Sequence, residues 1–462
     1  MAVYSRHPAS APPVAPERER MRHILLRAWF TFVLVYAFTL PGWVLAFGSV
    51  ITTLVGGVVV VLSGALVASI RPPFQWRRLP WIAGGFILWA GVSVMWSLWP
   101  LTSVLTWFIL VATTIVGIAL ASVLTWREIV RAIGAALAWV IGISIVFEVL
   151  VAWIVGGPLY AGFATTGGEG AVVWTTGELF SGGRMDGIMG DPNLFGVIAL
   201  MAVIVFSLEF AAGEARRAML GVWIAVSVLC LGLAASVTAW VAALGVVLVL
   251  ATVLLMRTAR RPGERTRYYV GYAIIGVGGG LLLWLNRDAV FLALDRATDL
   301  IDRETVWAAV LAQVTNPALG SGFATPWTVG DPSFTAGIML DGAQATSAHS
   351  VWVDVFFQLG VVGVILLACV YLAFVWRSWF FAVDRPRWDL RADRPYSPLT
   401  LLPTLTGAVL LVQGVAESAP LMGWGWMLLI VLGSKIKQSP HIGEGAAEQR
   451  VAIELGEPLP AR

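Results

Sequence analysis

The sequence predicts an all-α protein that crosses a membrane many times. Three observations predict it. Only 12% of the 462 residues are charged, where soluble domains carry about 25%. Hydrophobic residues make up 58% of the chain and the mean hydropathy is +0.83. Apolar runs of the length a helix needs to cross a bilayer, about 20 residues, alternate with short arginine-bearing segments. The net charge of +3 is too small to imply nucleic acid as a partner. Lysine occurs only at Lys435 and Lys437, so arginine carries the positive charge. Cys230 and Cys369 lie in separate apolar runs and read as inert, small apolar residues.

Taken in order, residues 1–23 hold Pro8, Pro12, Pro13 and Pro16 and the run Glu-Arg-Glu-Arg-Met-Arg. They are expected to form a disordered cytoplasmic tail with no cleavable signal pattern. A membrane domain over 24–436 follows. Its spans are expected near 27–41, 43–69, 80–98, 101–124, 130–155, 191–212, 218–235, 237–256, 269–285, 349–376, 399–416 and 420–435. That makes about 12 transmembrane helices, with the largest loop between helices 9 and 10. Pro41-Gly42 reads either as a kink or as a tight turn between the first two. Residues 437–462 are expected to be a second cytoplasmic tail.

Charge placement tests this count. With the amino terminus inside, the inner segments are 71–78, 126–131, 213–217, 257–267 and 377–398, and each holds at least two arginines. Loop 286–348 instead carries Arg287, Arg296 and Arg303 against Asp288, Asp295, Asp299, Asp302, Glu304, Asp331 and Asp341. Loop 156–190 carries Arg184 against Glu169, Glu178 and Asp186. The positive-inside rule then places both termini in the cytoplasm and both large loops outside. Loop 156–190 is rich in Gly and Thr and is expected to be mobile. Residues 289–314 read as an amphipathic helix able to lie on the outer surface, with Val290, Leu294, Ala297, Ile301, Ala308 and Leu311 on one face.

The residues suited to chemistry gather in these outer loops. His349 stands where polar loop meets apolar helix; the other histidines, His7, His23 and His441, lie near the ends. Such a histidine is often only a polar cap, yet imidazole titrates near neutrality and can take a hydroxyl proton. Arg303 and Trp307 are four apart and share a helix face. Arg303 can pair with Asp299 or Asp302, and Trp307 can be an interface anchor rather than a stacking platform. Asn316-Pro317 and Gly320, Gly322, Gly330 and Gly337 give a loop able to bend around a ligand. Arg184 is either a solvated charge or, flanked by glycines, a two-pronged grip on a diphosphate. Asp191 is the expected N-cap, and Pro192 the first turn, of the next span. Asp354 follows His349 by five residues, roughly 140° around a helix, and is not automatically its partner. Glu417 sits in the outer turn of Gly-Val-Ala-Glu-Ser-Ala-Pro near the membrane edge. No Asp-x-Asp pair, His/Cys cluster or P-loop is present, so neither a divalent metal nor ATP hydrolysis is expected, and no cofactor is called for.

At this point the chain resembles the O-antigen ligase and polymerase superfamily of bacterial membrane glycosyltransferases. Gly-Gly-Arg-Met-Asp-Gly-Ile-Met-Gly-Asp-Pro-Asn-Leu-Phe-Gly, ending at Gly196, is similar to the family's Arg…Asn-Pro-Asn entry into a middle helix. Arg303-x-x-x-Trp307…Asn316-Pro-Ala-Leu-Gly-Ser-Gly-Phe resembles its Arg-x-x-x-Trp…Pro-Leu-Gly-x-Gly segment. His349 opens a helix containing Leu359-Gly360-Val-Val-Gly363, as in the family, and Glu417-Ser418 resembles the Glu-Ser near its last spans. The four motifs occur in the family's order and the topology matches over nearly the whole length. Two positions depart from the pattern: Val237 stands where many members carry arginine after serine, and Ser350 replaces an asparagine.

The resemblance implies a GT-C-like helical scaffold at the cytoplasmic (inner) membrane and a metal-independent, inverting transfer on its outer face. The donor would be an oligosaccharide on undecaprenyl diphosphate. His349 and Arg303 would be the catalytic pair. Arg184, Asn193, Trp307, Glu304, Asp354 and Glu417 would bind the lipid diphosphate or glycan. Partners would be the lipid-linked oligosaccharide, membrane lipids and other glycan-assembly proteins such as a chain-length regulator. Elementary physics agrees: arginines at a low-dielectric boundary stabilise a diphosphate as charge develops on it. Polymerisation of repeat units is the first reading and ligation onto another acceptor the second. A secondary transporter would instead place its charged site near the bilayer midplane, and an inactive envelope scaffold is the remaining alternative.

Overall fold

The structure is a computed structural model that describes residues 17–72, 75–168, 171–213, 216–259, 264–286, 297–324, 339–340, 343–344, 347–383, 396–442 and 445–455. The side chains of 297–304, Arg303 and Glu304 among them, lie outside that description. So do Gly330, Gly337, Asp331 and Asp341.

Helices occupy every segment expected to be a span. They are α1 (Glu17–Phe38), α2 (Leu40–Ile70), α3 (Trp81–Val92), α4 (Pro100–Val123), α5 (Trp126–Leu150), α6 (Pro192–Ala211), α7 (Arg217–Ala234) and α8 (Val237–Thr258). They continue as α9 (Glu264–Leu285), α10 (Ala297–Ala312), α11 (Val351–Val383), α12 (Leu402–Ala416), α13 (Trp424–Gln438) and α14 (Ala446–Leu455). Among the described residues, 8 helices are long and apolar enough to cross a membrane, and Ile24–Phe38 and Trp81–Trp96 are shorter apolar helices. Among the described residues, two small antiparallel pairs accompany the helices, β1 (Leu159–Tyr160) with β2 (Val173–Thr175), and β3 (Met339–Leu340) with β4 (Ala343–Gln344).

Helix α6 is the axis of the bundle. Of its apolar window 78% is buried, against 17% for α2, and it packs against α5, α7, α8 and α12. Close approach explains how. A Cβ on Gly196 would lie 3.0 Å from the Cβ atoms of Ala239 and Ser236. Small residues of this kind let membrane helices pack where no water drives them together.

The break between α1 and α2 falls at Thr39, with Pro41 in the first turn of α2. Loop 156–190 is more built than its glycines suggest. The β1–β2 hairpin anchors it, Trp174 donates its indole N–H to the Ile188 carbonyl at 3.0 Å, and Val151, Leu159 and Trp174 form a small core.

Within the two expected tails, residues 17–23 and 446–455 are helical, and 1–16 and 456–462 lie outside the described residues. Helix α1 begins at Glu17, because Pro16 is followed by strong helix formers with no further breaker. Ala446–Leu455 forms a docked helix rather than a loose tail. Lys435, fully buried, sits 3.1 Å from Glu448 and donates to the Leu124 carbonyl at 2.7 Å. Glu448 also accepts from the Trp126 N–H and the Ser439 hydroxyl. A charge buried in an apolar span needs such a partner, and α14 supplies it.

Helix α11 is broken at Gly360 (φ 64°, ψ −168°). The break leaves carbonyls without helical partners, and the Asn316–Phe323 segment fills the gap. Ser321 N–H donates to the Phe357 carbonyl and Gly322 N–H to that of Gln358, both at 2.9 Å, while Val361 N–H donates to the Pro317 carbonyl at 2.8 Å. Contact is backbone to backbone. A Cβ on Gly360 would lie 2.2 Å from the Ala318 carbonyl oxygen, and one on Gly320 2.4 Å from the Gln358 carbonyl carbon. These glycines therefore serve helix–loop packing, not an open ligand cradle.

Candidate active site

The half-helix ahead of Gly360 carries His349 at its entrance. His349 adopts φ +49°, a left-handed conformation that costs about 1–2 kcal/mol for a residue with a Cβ. Its neighbours hold it there. Ala348 N–H donates to Asp354 Oδ1 at 3.1 Å, His349 N–H to Ser347 Oγ at 3.4 Å, and Ser350 N–H to Ser418 Oγ at 3.1 Å. Three consecutive amides thus bind side chains.

The Glu417-Ser418 dipeptide grips this turn twice. Ser418 takes the main chain, and Glu417 Oε2 lies 3.2 Å from His349 Nδ1. Glu417 sits just past the end of α12, where its N–H closes the last turn on the Gln413 carbonyl at 2.7 Å. Its side chain is 8% exposed, against 32% for the histidine. In the tautomer whose Nδ1–H donates to the carboxylate, the ring lone pair is on Nε2, the nitrogen able to take a proton.

A second carboxylate stands close by. Asp191 is the N-cap of α6, as expected, with Oδ1 accepting from Asn193 N–H at 2.8 Å and Leu194 N–H at 3.3 Å. It is near enough to Glu417 and His349 to interact electrostatically. Burial first, and then the Glu417 charge, push its carboxyl up to about 6. Sequence reasoning had Asp191 only as a cap; nothing in its spacing to Glu417 signals that they meet.

Arg184 and Asn193 are locked together at the adjoining corner. Arg184 Nε donates to the Ala234 carbonyl at 3.1 Å and Nη2 to Asn193 Oδ1 at 2.9 Å. The same oxygen accepts from Ser236 Oγ at 2.9 Å. Ser236 caps α8 through Ala239 N–H. The guanidinium therefore reaches the corner at which Val237 begins α8. The loop is held from below by Glu148 near the end of α5. Its Oε1 accepts from Asp186 N–H at 3.0 Å and Gly187 N–H at 2.7 Å, and its Oε2 from the Thr175 hydroxyl at 2.9 Å. Burial raises the Asp186 carboxyl above its ordinary value. In the sequence, Glu148 is an acid inside an apolar run.

On the other flank, Trp307 donates its indole N–H to the Ala348 carbonyl at 2.8 Å. With Trp99, Val306, Val310, Ala324 and Phe357 around Ala348, this docks α10 beside the histidine turn. The backbone of Arg303 and Glu304 lies about one turn before Trp307 on that helix. Of the predicted residues, His349, Glu417, Asn193, Arg184 and Trp307 thus meet at one end of the bundle. Asp354 joins them differently: it is 1% exposed and faces the Ala348 amide, so it supports the turn and is no open substrate contact.

A family model described as O-antigen ligase matches residues 220–368. The match takes in Trp307, His349, Asp354 and the Gly360 break, and leaves Arg184, Asn193 and Glu417 outside. No curated protein matches the chain.

Proposed function

We propose that this member of the O-antigen ligase and polymerase superfamily polymerises oligosaccharide repeats carried on undecaprenyl diphosphate, at the outer face of the cytoplasmic membrane. The observation that carries the reading is the His349–Glu417 pair, 3.2 Å apart, set between the Arg184–Asn193 corner and the helix bearing Arg303. In this reading the acceptor hydroxyl attacks the anomeric carbon opposite the diphosphate, inverting it. The carbon–oxygen bond to the diphosphate breaks and the electron pair leaves with it. The hydroxyl proton passes to His349 Nε2, and Glu417 stabilises the imidazolium that forms. Arg184 and Arg303 offset the charge growing on the leaving group, with no metal needed. Arg184 takes the part of the arginine absent at Val237. Twelve crossings with both termini cytoplasmic set this face outside, and glycan-assembly proteins such as a chain-length regulator would be partners there.

The family description favours a second reading, ligation of finished glycan onto a different acceptor. Purified protein mixed with lipid-linked repeat unit separates the two: a ladder of products means polymerase, and a single shift onto an added acceptor means ligase. His349→Ala and Arg303→Ala should each abolish most product at normal protein levels. Wild-type product from both variants would sink the assignment.

A further inference from the structure

The opposite end of the bundle holds a second charged feature. Glu209 lies 17 residues beyond Pro192 on α6 (209 − 192), roughly 25 Å along the axis. There α1, α5, α6 and α7 enclose a cleft of about 430 Å³. Arg27, Arg131, Arg216 and Glu209 line it together with Phe206 and Trp223. Among the described residues that line it, three cations stand against one acid. Glu209 is buried, and its carboxylate lies so close to α5 that a Cβ on Gly134 would be 3.2 Å from Oε2. The acid is thus fixed against the cleft wall.

The walls are greasy. Trp223 packs against Phe206 with ring centroids 5.9 Å apart. On the flanking lipid-facing surface Met219, Val222 and Trp139 are 45%, 62% and 63% exposed. A cleft with a cationic rim and an apolar side suits a molecule with an anionic head and a hydrocarbon body. Guanidinium groups hold phosphate oxygens in pairs. Basic pockets between membrane helices take anionic headgroups for this reason.

We propose that this cleft binds the phosphate of an anionic glycerophospholipid in the leaflet opposite His349. Arg27, Arg131 and Arg216 surround the headgroup, and the acyl chains run out along Trp223. The lipid ties α7 to α1 and α5 at the end of the bundle remote from the catalytic turn.

The test uses the full chain in nonionic detergent, with native mass spectrometry and thermal unfolding. Probes are phosphatidylglycerol, phosphatidylcholine and inorganic phosphate. Phosphatidylglycerol should be retained and should raise the melting temperature, and the other two should do neither. Arg131→Gln/Arg216→Gln should weaken phosphatidylglycerol binding about thirtyfold, from two lost charge contacts. Ala138→Trp, which fills the cleft and leaves every charge in place, should weaken it as well and guards against misfolding of the double variant. Equal retention by wild type and both variants would overturn the proposal, as would phosphatidylcholine binding as well as phosphatidylglycerol. A full shift from inorganic phosphate alone would overturn the lipid assignment.

Discussion

Glu417→Gln tests the catalytic reading most sharply. The substitution keeps the size of the side chain and an oxygen able to accept from His349 Nδ1, and it removes the charge. Charge-assisted hydrogen bonds contribute about 1.5–3 kcal/mol. The observed 3.2 Å is long for such a bond, which argues for the lower half, and the neutral bond that glutamine keeps offsets part of it, so the loss is about 1 kcal/mol. At 1.4 kcal/mol per tenfold, kcat should fall roughly fivefold. KM should stay close to wild type, because Glu417 acts on the imidazole and not on the glycan. The Ser418 contact to Ser350 N–H remains in the variant, so the turn keeps its shape. The assay is the initial rate of glycan transfer at saturating lipid-linked donor. Transfer by Glu417→Gln within twofold of wild type, beside an inactive His349→Ala, would refute the idea that the carboxylate stabilises charge on the ring.

Three further outcomes are expected. Arg184→Lys should cut transfer about tenfold or more, since an ammonium cannot reproduce the fork that reaches both the Ala234 carbonyl and Asn193; unchanged rates would leave Arg184 a structural clamp with no part in transfer. Asp191 has its carboxyl pushed up to about 6 from the usual 3.8, so its contribution to stability is full below about 4 and is lost as pH rises through about 6. Asp191→Asn keeps an N-cap and should flatten the pH dependence of thermal unfolding across that window; an unaltered profile would contradict this. Gly360→Ala combines a strained positive φ of 64° with a Cβ 2.2 Å from the Ala318 carbonyl oxygen, and should destabilise the protein by about 3 kcal/mol or more. A melting temperature equal to wild type would mean the loop does not seat against the break.

Much of the scaffold was legible because membrane crossing imposes a simple rule: apolar runs must be helices that satisfy their own backbone. The rule marks where Leu40–Ile70 or Val237–Thr258 run. It cannot foresee that α11 breaks at Gly360, since the broken carbonyls are satisfied by a segment some forty residues upstream. His349 and Arg184 stood out by type and location. Their partners did not, because His349 and Glu417 are 68 residues apart in sequence and meet through helix packing alone. Trp307 was read as a stacking or interface residue, and its indole N–H proves to bind the Ala348 carbonyl. The docked helix at Ala446–Leu455 was missed for a related reason. Lys435 looked like a cation at a span end, and only its burial reveals the need for Glu448.

The clasp between residues 317–322 and the Gly360 break has a bearing on attempts to move specificity from one chain to another. Two main chains in direct contact tolerate no side chain between them, so neither can be exchanged alone. A chimaera that imports a foreign outer loop up to Ser347 would pair a new strand with an old notch. The smallest transplantable piece runs from Asn316 through Gly363, and it necessarily takes the histidine with it.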